Sequence, residues 1–158
     1  LPELLGGSGI TSVLGKELQL EQKVALNSAS FYSGVSFDPQ TFGIYVVPVP
    51  GTSLADAEAA MDASIAKFLA DGPDPEHLAR IKTQVRASEI FARDRIDGYA
   101  RKYGAGLTAG LTIQDIQDWP DILQSVTADD ITAAAKRVFN LNNSVTGWLM
   151  PEQEEAVQ

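Results

Sequence analysis

The sequence contains no cysteine, a single histidine and no strongly basic segment. The missing cysteine removes disulfides, thiolate zinc sites and thiol nucleophiles together, although it leaves the compartment open. With His77 alone, an inverted His-x-x-Glu-His zinc motif cannot be assembled, because that motif places two histidines on one helix face. His77 stands between Glu76 and Leu78 in the first turn of a candidate helix, with no second ligand type beside it. It reads as a structural or surface histidine. Acids outnumber bases 21 to 12 for a net charge of −9, and the bases are interleaved with acids. No stripe exists for a phosphate backbone or an anionic membrane surface, which argues against both as partners. No apolar run approaches the roughly 18 residues that a membrane span requires, and no signal peptide opens the chain.

What is present suits one folded domain. The 158 residues are 44% apolar and 21% charged, with no window biased towards disorder. The chain opens Leu1-Pro2-Glu3-Leu4-Leu5, without an initiator methionine, and runs into Gly6-Gly7-Ser8-Gly9. This reads as the end of a helix belonging to a longer polypeptide. Val13, Leu14 and Leu18 keep helical spacing within 10–22. Residues 24–32 and 41–49 read as two strands of a hairpin, with turn residues at 34–40, and Pro48, Pro50 and Gly51 close the second.

From Ser53 the pattern becomes helical. Ser53 with Asp56 forms an N-cap signature, and Ala57, Met61, Ile65 and Phe68 follow on one face up to Asp71-Gly72. Asp74 and Pro75 restart a helix that carries Leu78, Ile81 and Val85 inward and is expected to reach about Asp97-Gly98. Another helix is expected over 99–107, and a further start is bracketed by Thr112 and Asp115 before Trp119-Pro120. Thr127 and Asp130 open the last helix, 131–139, with Ile131, Ala134, Ala135 and Val138 on one face. Residues 145–150 read as a final short strand. The order predicts an α+β fold, an antiparallel sheet with helices packed on one face. Three strands make a thin sheet, so a first strand is expected before Leu1. The domain is assigned to 1–151, with 152–158 an acidic, frayed tail.

The sequence holds no catalytic constellation and no set of metal ligands. The loop at residues 6–9 lacks the spacing and lysine of a phosphate loop. Ser8, Ser12 and Ser53 lie in no Gly-x-Ser-x-Gly elbow. Asp129-Asp130 are first-turn acids at the positive end of a helix dipole. Arg93-Asp94-Arg95 with Asp97 and Arg101 form a solvated face, and Tyr99, Tyr103 and Trp119 read as core or interface.

Several stretches, in order, nevertheless resemble the carboxy-terminal half of a pitrilysin/insulinase zinc metallopeptidase subunit. They are Leu5-Gly6-Gly7-Ser8-Gly9 with Ser12-Val13-Leu14-Gly15-Lys16-Glu17-Leu18; Lys23-Val24-Ala25 leading to Phe31-Tyr32; and Phe42-Gly43-Ile44-Tyr45 with Val47-Pro48-Val49-Pro50-Gly51. Val126-Thr127-Ala128-Asp129-Asp130-Ile131 and the ending Thr146-Gly147-Trp148-Leu149-Met150-Pro151 complete the resemblance, which spans nearly the whole chain.

The resemblance implies two similar α+β halves closing over a peptide. The amino-terminal half would carry zinc and a glutamate that together activate water. The carboxy-terminal half would supply the opposing wall and, in some members, an Arg and a Tyr seven residues apart that contact substrate. Here those positions hold Gln19 and Leu26. Gln offers no cationic fork and Leu no hydroxyl. The implied role is therefore a non-catalytic wall, with no cofactor of its own and zinc in the parent protein. Its implied partners are the amino-terminal zinc half of the same polypeptide, a homologous subunit bearing the Arg/Tyr pair, and a peptide substrate. The alternatives are an inactive scaffold or assembly subunit, or an unrelated α+β ligand-binding domain. A bacterial periplasmic location is expected, with cytoplasm as the alternative.

Overall fold

The computed structural model describes residues 1–7, 9–92 and 95–150. Ser8 of the glycine turn, Arg93 and Asp94 of the charged cluster, Pro151 and the acidic tail lie outside the described residues. Helical segments Glu3–Gly7 and Gly15–Glu21, joined by a single 3₁₀ turn at Gly9–Thr11, precede strands β1 (Ala25–Phe31) and β2 (Gly43–Pro48). Five helices follow: α1 (Leu54–Asp71), α2 (Pro75–Ala92), α3 (Ile96–Thr108), α4 (Ile113–Ser125) and α5 (Ala128–Val138). The two strands pair antiparallel. The fold is α+β, as the element order predicts.

The apolar spacing read at 13–18 becomes a helix of wide bore, a π-helix over Gly15–Glu21. Its last turn closes five residues back, Gln22 N–H donating to the Glu17 carbonyl at 2.9 Å. Leu14 and Leu18 from this stretch, with Leu4 and Leu5, are almost entirely buried beside Phe68 of α1 and Ile131 and Ala135 of α5. Each such leucine contributes about 1.5–3 kcal/mol. Four of them within the first eighteen residues make this helical layer and its contacts the centre of the core. Glycine permits the close packing. A Cβ on Gly6 would meet the Ser30 amide and lie 2.6 Å from the Ala29 carbonyl carbon, and one on Gly15 would lie 2.8 Å from the Ile10 Cα.

The helix starts follow the local chemistry of their caps. Ser53 Oγ accepts from Asp56 N–H at 3.0 Å, and Asp74 Oδ1 accepts from Glu76 N–H at 2.9 Å. Thr112–Asp115 and Thr127–Asp130 form complete capping boxes. The hairpin is fixed to α5 through aromatic rings: Tyr32 stacks on Phe42 at 6.4 Å, and Phe42 meets Phe139 edge-on at 5.5 Å.

Four expectations need correction. Residues 145–150 do not pair as a strand: Val145 and Leu149 are 98% and 93% exposed, and Trp148 Nε1 reaches Glu58 on α1 instead. A strand requires a partner edge as well as β-forming residues, and the described residues offer none beside this segment. The sheet among the described residues therefore has two strands. Helix α2 ends at Ala92, because Arg95 is extended (φ −110°, ψ 97°), and Asp97-Gly98 belong to α3. Helix α4 continues through Pro120, forgoing one backbone bond to Ile116. Val138 faces solvent rather than the core, at 40% exposure.

Candidate functional site

Gln19 and Leu26, where the resemblance implies a substrate-contacting Arg and Tyr, sit on either side of the turn that leads into β1. Gln19 lies on the wide helical segment, half-buried, and its Nε2 donates to Ser28 Oγ at 2.9 Å. Ser28 points from β1 into the core and is 1% exposed. The side chain of Gln19 is thus engaged with the sheet it packs on. Leu26 stands on β1 itself. The ladder pairs Ala25 with Pro48 and Asn27 with Val47, which leaves Leu26 as the extra residue of a β-bulge, 61% exposed. A bulge turns its side chains away from the strict alternation of the strand, and here Leu26 and Asn27 are both exposed. The sequence puts Gln19 on a helix and Leu26 on a strand, as observed, but gives no sign of the bulge or of the Ser28 contact, because each depends on a second strand or helix.

The sheet has one covered and one open face. Ser28 and Ser30 of β1, with Ile44 and Val46 opposite them, face the helical layer, and Ser30 Oγ donates to the Pro2 carbonyl at 2.7 Å. The other face presents Phe31, Tyr45 and Val47 to solvent. The Phe31 ring lies over Gly43, where a side chain would collide with it. Asn27 Nδ2 donates to the Tyr45 hydroxyl at 3.3 Å across the pair. Together with Leu26, these residues make an uncharged surface of aromatic and aliphatic groups. It can hold the apolar side chains of an extended chain, but it carries no acid, base or nucleophile.

The remaining candidates also fall short of chemistry. Ser12 is fully buried, with its hydroxyl donating to the Gly9 carbonyl and accepting from Gly15 N–H. Ser53 is committed to its helix cap. Asp97 pairs with Arg95 at 3.6 Å and Arg101 at 3.8 Å on an exposed surface. Tyr99 and Tyr103 pack against each other at 5.4 Å, and Trp119 is 44% exposed. His77 is buried at 7% exposure, and its pKa is pushed below the usual imidazole value by burial first and by the Arg80 charge second, against the pull of Asp74. Among the described residues no three His, Cys, Asp or Glu side chains converge as metal ligands, so the donor set does not fit zinc. No helix among them is long and apolar enough to cross a membrane.

A family model described as the peptidase M16 inactive domain matches residues 1–85, more than half of the chain. No curated protein matches. Among solved structures, a protease from Helicobacter pylori superposes with a TM-score of 0.78 at 18% identity, over 88% of this chain and 33% of that one. A peptidase M16 inactive domain from Pseudomonas fluorescens gives a TM-score of 0.71 at 18% identity, over 88% and 32%. Identity at this level speaks for a shared fold. The chain spans about a third of the length of each of these structures.

Proposed function

The chain belongs to the peptidase M16 family as its carboxy-terminal inactive half, and from that premise we propose that it forms the non-catalytic wall of a peptide chamber opposite a zinc-bearing half. The observation that carries this reading is the open sheet face. Leu26, Phe31, Tyr45 and Val47 are 42–61% exposed on a sheet whose other face is covered by helices. A surface of this kind binds extended chain through apolar contact and leaves bond cleavage to groups elsewhere. In the parent protein, zinc and its activating carboxylate belong to the amino-terminal half, and an Arg/Tyr pair belongs to a homologous subunit, since Gln19 and Leu26 replace that pair here. We propose a bacterial periplasmic location, with cytoplasm as the alternative.

The test uses the full polypeptide that contains this chain, stripped of zinc and mixed with an extended peptide. A photo-crosslinking residue at Tyr45 is expected to capture the peptide, while the same group at Ala79, exposed on α2, is not. Equal labelling at both positions, or none at Tyr45, overturns the wall reading and favours a scaffold subunit. The chain by itself is expected to bind no stoichiometric zinc and to cleave no peptide.

A further inference from the structure

On the open face of the sheet the side chains stand in three cross-strand rows: Asn27 with Val47, Ala29 with Tyr45, and Phe31 with Gly43. Successive rows lie about 7 Å apart along the strands, and paired Cβ atoms about 5 Å apart across them. Both rings are committed away from the middle of β1. The Phe31 ring stays in its own row and lies over Gly43, which has no side chain to oppose it. The Tyr45 hydroxyl accepts from Asn27 Nδ2 at 3.3 Å, which draws that ring diagonally towards the Asn27 row. The middle row then holds, on β1, only the methyl group of half-buried Ala29. The rows thus leave a notch one side chain wide, floored by Ala29. Phe31 bounds it at one end, Tyr45 and Asn27 at the other, and none of these residues is charged.

A notch of this composition discriminates between occupants. An extended peptide turns every second side chain towards the sheet. A leucine or phenylalanine entering the notch exchanges water for two rings and a methyl group. A carboxylate or ammonium would lose water and meet no opposite charge, and a glycine would leave the notch empty. We propose that Ala29 floors a subsite for one bulky apolar side chain of the bound peptide, so that the wall favours peptides carrying leucine or phenylalanine there. This rests on the chamber-wall reading and adds the substrate class to it. Ala29 sets specificity by being small, and Asn27 is a positioning residue that holds the Tyr45 ring aside.

The test uses the zinc-stripped full polypeptide that contains this chain. A photo-crosslinking residue at Val47, in the neighbouring row, reports whether the face is occupied. The probes are fluorescent nine-residue Ser/Thr peptides, identical except for a central Gly, Leu, Phe, Glu or Lys, and their affinities are read by anisotropy on protein without the crosslinker. The Leu and Phe peptides are expected to bind about tenfold more tightly than the other three, the gain from partly burying one such side chain. Ala29→Leu, which fills the notch, should cut that preference to less than about twofold, while Val47 is still labelled at saturating peptide. Ala29→Val, shorter and well suited to a strand, should reduce it in part. Asn27→Ala, which releases the Tyr45 ring, should reduce it as well. Far-UV circular dichroism confirms that each variant is folded. If no peptide labels Val47, the wall reading fails and the subsite falls with it. If Val47 is labelled but the five peptides bind alike, or the preference survives both Ala29 variants, the wall stands and the subsite at Ala29 is overturned.

Discussion

Gln19 Nε2 donates to Ser28 Oγ at 2.9 Å, joining the wide helical segment to the covered face of β1. The position that would hold a substrate-binding arginine is therefore a strut between two layers of the core. Because Ser28 is 1% exposed, water cannot replace its partner from that side. Ser28→Ala should cost about 1 kcal/mol, the net value of one buried hydrogen bond whose half-exposed donor can rehydrate. The midpoint of urea unfolding checks it.

Reverting the contact positions makes a sharper test. Gln19→Arg must either keep its head beside the buried Ser28 hydroxyl or abandon the strut, so it is expected to lower stability by about 1–2 kcal/mol. Leu26→Tyr, at an exposed bulge, should be nearly neutral. The double variant is expected to gain no peptidase activity in the chain alone, since no cluster of metal ligands accompanies it among the described residues. Measurable peptide cleavage by this variant would sink the non-catalytic assignment.

Two glycines should respond in opposite directions to alanine. At Gly6 the new methyl would collide with the backbone of Ala29 and Ser30, which cannot move aside as a flexible side chain would. Gly6→Ala is expected to cost about 3 kcal/mol. At Gly104, inside α3, nothing lies within 4 Å of the added carbon. Gly104→Ala should stabilise by about 1 kcal/mol through helix propensity. Thermal unfolding of the two variants reads both signs.

Capping gives a prediction with a pH signature. Thr127 donates its hydroxyl and backbone N–H to the Asp130 carboxylate, at 2.6 and 2.8 Å, and these bonds hold the Asp130 pKa below its usual value. Thr112 does the same for Asp115. A carboxylate with a depressed folded pKa contributes stability above its unfolded pKa near 4 and loses it as pH falls through the folded pKa. Thr127→Ala should cost about 1 kcal/mol at neutral pH, as N-cap losses do. It should also flatten the decline in stability below pH 4, which urea midpoints measured across that range would show.

These caps were also the most legible part of the sequence. Ser53–Asp56, Thr112–Asp115 and Thr127–Asp130 act within one turn, so the chain itself carries all the partners. The hairpin was legible for a related reason: two runs of β-forming residues flank a turn-rich stretch. What could not be read depends on distant partners. The bulge at Leu26 exists only relative to Val47 and Pro48 across the ladder. Residues 145–150 have the composition of a strand but no edge to join among the described residues. The break at Arg95 interrupts a stretch without proline, and Pro120 fails to interrupt α4, so neither boundary follows the usual punctuation. For the site, the identities of Gln19 and Leu26 were visible, whereas the Ser28 contact appears only when the wide helical segment packs on β1, and the burial of His77 only when α2 packs on its neighbours.

His77 yields the final prediction. Burial and the Arg80 charge depress its folded pKa below the unfolded value of about 6.5, with Asp74 opposing. The folded state thus resists a proton that the unfolded state accepts. Stability contributed by this site is complete above pH 6.5 and declines as pH falls from there towards the folded pKa. Carboxylates contribute little to the change between pH 7.5 and 5.5, whereas the Leu1 amine, held below its usual value by burial, shares the window with the imidazole. His77→Gln, which cannot titrate, should remove the imidazole's share of the difference in urea midpoint between those two pH values and leave the amine's. Arg80→Gln should shrink it, because it removes a cation that disfavours the imidazolium, and should raise the His77 pKa followed by NMR. If His77→Gln leaves the pH dependence intact, the imidazole is not held neutral by its burial and the Arg80 charge.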